Sequence, residues 1–158
     1  MFQCLTKSPE ETGRLAELIG SHLLIGMVFC LSGDLGAGKT LFVQHLAKAA
    51  GVEGTVASPT FNILNILAGN MDIWHYDLYR LQTEDELSDT GFFEYIDEPD
   101  GVAIIEWPDR FWSAMPDNYI EVHIERVAKE ESQRRFSFFA RGEKYGSWLE
   151  EIKNKCEY

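Results

Sequence analysis

Eight residues, Gly33-Asp34-Leu35-Gly36-Ala37-Gly38-Lys39-Thr40, place three glycines in a short span and end on a lysine and a hydroxyl. Glycines at that spacing let the backbone turn back on itself and aim successive N–H groups into one concavity. Phosphate oxygens fit such a concavity. Lys39, expected on a solvent-facing loop, adds a point charge for the β and γ phosphates, and the Thr40 hydroxyl offers a ligand for Mg2+. Asp34, Leu35, Gly36, Ala37, Gly38, Lys39, Thr40 and Leu41 are therefore the candidate nucleotide-binding residues. The context strengthens the motif, because the apolar run Met27 to Leu31 precedes it and a helix-like stretch from Lys39 to Ala50 follows. The positive end of that helix would add to the same spot.

A loop that holds phosphates does not say what is done with them, so other polar groups near strand ends must decide the chemistry. Glu106 closes the apolar run Val102-Ala103-Ile104-Ile105. A carboxylate there can complete a Mg2+ shell or polarise a water. In His75-Tyr76-Asp77-Leu78-Tyr79-Arg80, an extended backbone puts His75, Asp77 and Tyr79 on one face and Arg80 on the other. Asp77 could then orient His75, bind Mg2+ through water, or position the attacking water. Asp77 and Glu106 are thus the two candidate catalytic carboxylates, and the spacing leaves open which of them positions the water. Ser58-Pro59-Thr60-Phe61 falls after the loop's helix, where Ser58 and Thr60 suit a switch-like segment sensitive to the γ phosphate. His75, Arg80 and Trp107 join them as switch-like candidates. With no Asn-Lys-x-Asp segment to read guanine, ATP is the expected nucleotide, and the N-terminal segment near Thr12 is the expected adenine contact.

Positioning these groups requires an α/β chain. Ser8, Pro9 and Glu11 have the form of a capped helix start, and Leu15, Leu18, Ile19 and Leu23 give the stretch from Pro9 to His22 one apolar face. The strand, phosphate loop and second helix come next. Two apolar runs flanking Gly69-Asn70 predict an antiparallel hairpin, and 85 to 96 predicts one or two short helices. After the buried strand ending at Glu106, strands are expected over Tyr119 to Val127 and Arg134 to Ala140, separated by the charged turn Lys129-Glu130-Glu131. A last helix is expected from Glu143 to Lys155. The fold class is a single α/β phosphate-loop NTPase domain over residues 1–158, with a mixed, mainly parallel sheet flanked by helices and an antiparallel hairpin.

Composition narrows the partners. With 158 residues and 45% hydrophobic content the chain can bury a core without staples. Fourteen basic against 26 acidic residues give a formal charge of −12, so stand-alone binding of nucleic acid is not expected. Cys4, Cys30 and Cys156 are too few and scattered for a disulfide framework and read as reduced thiols. No apolar stretch approaches a bilayer span and no secretory signal is visible, so a cytoplasmic protein without membrane contact is expected.

The segments Gly33 to Thr40, Ser58 to Phe61, His75-x-Asp77-Leu78-Tyr79-Arg80-Leu81 and Ile105-Glu106-Trp107-Pro108 resemble, in order and spacing, the four signature segments of the TsaE family. These are bacterial ATPases of tRNA threonylcarbamoyladenosine biosynthesis. The resemblance implies a Mg2+-dependent ATPase that converts ATP to ADP and acts with TsaB-like and TsaD-like proteins. TsaD would transfer the threonylcarbamoyl group to adenosine 37 of tRNAs reading ANN codons, and tRNA would be met only through those partners. Two rival readings remain. One is a small-molecule kinase in which Arg110, Arg126, Arg134 and Arg135 clamp substrate, with Arg134-Arg135 as a lid pair after a strand turn. The other is a nucleotide-gated binding module with no meaningful turnover.

Overall fold

The continuous apolar runs 28–32 and 102–106 become buried strands, the stretch 119–127 with its alternating burial becomes a longer one, and amphipathic stretches between the strands become helices. In the computed structural model, which describes residues 1–54 and 63–157, the strands are β1 (Phe2–Thr6), β2 (Val28–Ser32), β3 (Leu64–Leu67), β4 (Ile73–Asp77), β5 (Val102–Glu106), β6 (Tyr119–Val127) and β7 (Glu130–Arg141). The helices are α1 (Pro9–Gly20), α2 (Lys39–Ala49), α3 (Glu84–Asp89), α4 (Phe92–Tyr95) and α5 (Gly146–Lys155). All seven strands form one sheet in the order β1-β7-β6-β2-β5-β4-β3. The centre is parallel, β6 with β2, β2 with β5 and β5 with β4. Antiparallel pairs extend it on both sides, β6 with β7 and β7 with β1 on one, β4 with β3 on the other.

α1 starts as its sequence suggests. The Ser8 hydroxyl accepts from the Glu11 N–H at 3.2 Å, Pro9 is the first helical residue, and the Glu11 carboxylate accepts from the Lys7 N–H at 2.7 Å. Leu15, Ala16 and Ile19 then pack with Phe42, Val43 and Leu46 of α2 and with Leu149 and Ile152 of α5 over one face of the sheet. On the other face, Leu87, Phe92 and Ile96 cover Cys30, Tyr76 and Ile105. Helices therefore shield both faces of the parallel centre, as buried parallel strands require.

Several expectations are refined. The N-terminal strand β1 was not foreseen; it pairs Phe2 with Phe138 and Thr6 with Arg134. β7 begins at Glu130, inside the segment expected as a charged turn, and the turn is reduced to residues around Lys129, whose φ is 67°. The first and last helices are shorter than expected, ending at Gly20 and starting at Gly146. The hairpin around Gly69-Asn70 and the two short helices after residue 83 are present. Ser58 and Thr60 lie outside the described residues. Among the described residues no helix is long and apolar enough to cross a membrane.

Candidate functional site

β2 is buried along its whole length and delivers the chain to Gly33 at the carboxyl edge of the sheet. Gly33, Gly36 and Gly38 all take positive φ, 141°, 77° and 106°. At Gly33 a side chain is excluded twice over, because a Cβ would also run into the carbonyl of Ile124 on β6. Gly38 caps α2 with no side-chain bond of its own, leaving the helix's first N–H groups facing the loop. Leu35 stands at the loop's tip, 78% exposed, beside exposed Asp34, while Ala37 is buried.

The loop borders a cleft of about 320 Å³ lined by Gly36, Gly38, Lys39, Thr40 and Leu41 on one side and by Asp77, Tyr79, Glu106 and Trp107 on the other. β5 runs parallel between β2 and β4, so Glu106 stands opposite both Leu31 and Asp77. That register brings the two candidate carboxylates and the phosphate loop to one edge of the sheet, as the sequence required. Crevices outside the carboxyl ends of parallel strands are where α/β sheets bind ligands.

Lys39 departs from the expected solvent-facing position. It is only 5% exposed, its Nζ donates to the carbonyls of Gly33 at 2.6 Å and Asp34 at 3.0 Å, and it lies 4.0 Å from the centre of the Trp107 ring. The reason is the aromatic lid. Trp107 follows Glu106 with φ 58° and ψ 54°, a left-handed backbone that costs a bulky residue of order 1–3 kcal/mol. This conformation turns its indole onto the lysine, and the Tyr79 ring packs against the indole at a tilt, 4.8 Å between centroids. Burial pulls the Lys39 ammonium below the ordinary lysine range, opposed by the nearby charges of Glu106, Asp109, Asp34 and Asp77.

Orienting His75 is one of the roles the sequence leaves open for Asp77, and the partner of His75 is instead Glu106. The His75 Nε2 lies 2.6 Å from Oε2 of Glu106, and both side chains are buried. Asp77 instead accepts the N–H of Tyr79 at 3.0 Å, the short-range turn that ends β4. Since the strand stops at Asp77, Tyr79 and Arg80 do not continue its alternation; Tyr79 is 54% exposed and Arg80 is exposed and not among the cleft's lining residues. Thr12 is buried, its hydroxyl 2.7 Å from that of Thr6, and it is not on the cleft wall.

The lid arginines of the kinase alternative are strand residues. Arg134 and Arg135 lie within β7, and Arg134 Nε donates to the carbonyl of Ala37 at 2.8 Å while its Nη1 donates to the carbonyls of Glu131 and Gln133. Arg110 is likewise engaged, with the Leu81 carbonyl at 3.1 Å. Sequence reasoning missed Arg134 as a support of the loop. Its only trace was its place in a pair of adjacent arginines.

A profile of the family described as "Threonylcarbamoyl adenosine biosynthesis protein TsaE" matches residues 6–136. The chain belongs to the TsaE family. Among its relatives, the tRNA threonylcarbamoyladenosine biosynthesis protein TsaE of Bacillus subtilis (strain 168) is 36% identical over 148 residues, 93% of this chain and 90% of the relative. The TsaE protein of Treponema pallidum (strain Nichols) is 34% identical over 127 residues, covering 80% and 93%. The crystal structure of Bacillus subtilis YdiB superposes with a TM-score of 0.78 at 30% identity, over 98% of this chain and 95% of that one. The mixed sheet and its flanking helices are thus matched in the solved YdiB structure, and the family resemblance read from four short segments holds over most of the chain.

Proposed function

We propose that this TsaE family member is a Mg2+-dependent ATPase that works with TsaB-like and TsaD-like proteins in forming threonylcarbamoyladenosine at position 37 of tRNAs reading ANN codons. The observation that carries the reading is the facing of the Gly33 to Thr40 loop by Glu106 and Asp77 across one cleft.

The electrostatics favour a divalent cation alongside the nucleotide. Four carboxylates act on the single buried ammonium of Lys39, so a polyphosphate entering alone would meet a cleft of its own sign. Mg2+ takes most of its shell from phosphate and water and only one or two protein oxygens, and Thr40 and Glu106 supply oxygens of that kind. Bound there, the ion would neutralise charge on the β and γ phosphate oxygens. Lys39 would leave the Gly33 and Asp34 carbonyls for phosphate, the α2 N-terminus would face the same anion, and Asp77 or Glu106 would position the attacking water. Catalysis is then electrostatic and positional, with ADP as product.

The acidity of the chain suits a division of labour in which partners hold the tRNA. Cytoplasmic work follows from that substrate. Phosphate release measured with and without TsaB-like and TsaD-like proteins tests the reading, and turnover is expected to rise with them. No stimulation, together with transfer of phosphate to a metabolite, would replace it with the kinase; unchanged negligible turnover with intact binding would replace it with a nucleotide-gated module.

A further inference from the structure

His75 lies in the middle of β4 with no exposed surface, and Glu106 at the end of β5 is 2% exposed. The imidazole Nε2 is 2.6 Å from Oε2 of the carboxylate, and Nδ1 has no hydrogen-bond partner among the described residues. A carboxylate can only accept, so Nε2–H donates to Glu106. Glu106 lines the cleft and His75 does not. Any influence of His75 on a bound ligand must therefore pass through Glu106.

The neighbouring strands explain why the contact forms. Asp77 is opposite Glu106 and His75 opposite Ile104, which puts all four on the sheet face that also carries Leu31 and packs against α2. Glu106 is thus flanked by a polar neighbour at the cleft and by His75 one pleat deeper. Left alone, a carboxylate at that depth would swing between rotamers, and each of its oxygens would face the cleft in turn. The bond to Nε2–H removes that freedom, occupies Oε2, and leaves Oε1 as the oxygen available to the cleft.

We propose that His75 is a positioning residue, anchoring one oxygen of Glu106 so that the other is held ready for the shell of a nucleotide-bound Mg2+. The inference rests on the reading of Glu106 as part of that shell. A buried His–Glu pair kept only for the fold is the alternative, and it predicts a loss of stability without a selective loss of metal response.

Calorimetric titration of the full chain with the imido analogue of ATP, once with Mg2+ and once with EDTA, reads the metal-dependent gain in affinity. In His75→Gln the terminal amide reaches the place of Nε2 and can donate to Glu106; in His75→Asn it ends near the place of Nδ1 and cannot. The Gln variant should keep the Mg2+ gain within about threefold, the Asn variant should lose at least about tenfold of it, and both should keep metal-free affinity within about twofold. Added to Glu106→Gln, His75→Asn should reduce the gain no further, because residues acting through one group are not additive. A folded Asn variant with the full gain, or an Asn effect that adds in full to Glu106→Gln, overturns the proposal. Should Asn not fold, a folded His75→Gln that loses the gain overturns it equally. Failure of the wild-type chain to bind the analogue, or to bind it better with Mg2+, would be seen before any variant is made and would refute the nucleotide reading itself.

Discussion

Arg134 donates from Nε to the carbonyl of Ala37 at 2.8 Å, so the phosphate loop is braced from behind by the strand next to the sheet's edge. The brace is itself fixed. Arg134 Nη1 donates to the carbonyls of Glu131 at 2.7 Å and Gln133 at 2.8 Å, which stops the guanidinium from following solvent. Gly33 completes the support by lying against the Ile124 carbonyl of the adjoining strand.

Arg134→Ala should accordingly weaken nucleotide binding without touching a phosphate contact. It strips the donor partner from a buried carbonyl, a loss of about 1–3 kcal/mol, and affinity for Mg-ATP is expected to fall by roughly tenfold with a lowered Tm. Calorimetry and a thermal melt check both. Wild-type affinity in the variant would show that the loop keeps its shape unaided.

The burial of Lys39 has a consequence in alkaline solution. Its pKa in the empty protein lies below the usual 10.5, chiefly through burial, whereas a bound phosphate would restore it. Binding therefore takes up a proton once pH exceeds the depressed value, and affinity should decline from below pH 10.5 as pH rises. The folding sign is the reverse. The unfolded chain keeps the proton longer, so this lysine adds stability as pH climbs through the same window, and Lys39→Met should lose that rise. Titrations and melts across the alkaline range measure the two trends, and a flat affinity profile there would contradict the phosphate role of Lys39.

Glu106→Gln separates charge from packing. The amide oxygen can still accept from His75, so folding should survive, but hydrolysis should fall by at least about 10²-fold while nucleotide affinity falls far less. Single-turnover phosphate release set against calorimetric affinity reads the split. Equal losses in both would make Glu106 a binding residue only.

Asp77→Ala is expected to uncouple nucleotide binding from tRNA modification. Asp77 faces the cleft from across the Gly33 to Thr40 loop and is not part of it. Affinity should stay within about tenfold, roughly 1.4 kcal/mol, while threonylcarbamoyladenosine formation fails in a system reconstituted with TsaB-like and TsaD-like proteins. Full modification activity in the variant would reduce Asp77 to a turn former at the end of its strand.

What was legible in the sequence was local. The loop's glycines, the Ser8 cap, the Gly69-Asn70 hairpin and the buried strand before Glu106 each announce themselves within a dozen residues, because their conformations are fixed by neighbours in sequence. What was missed depends on register between distant segments. The bond from His75 to Glu106 exists because β4 and β5 align Asp77 with Glu106, and Lys39 is buried because Trp107 arrives from another strand end. The strand Phe2–Thr6 is five residues long and carries Gln3 and Leu5 on its outer side, too short a pattern to be read without its partner.

The same strand order has a consequence for synthesis on the ribosome. β2, which delivers the phosphate loop, is flanked by β5 and β6, and β1 waits for β7, so every neighbour of the first two strands is made long after them. At about 5–20 residues per second, a nascent chain would hold two unpaired apolar strands for several seconds. During that interval the whole Gly33 to Thr40 segment has been translated, yet neither Ile124 nor Arg134 is there to shape it. A ligand that binds only the completed loop would therefore stabilise the finished domain and give the growing chain little help.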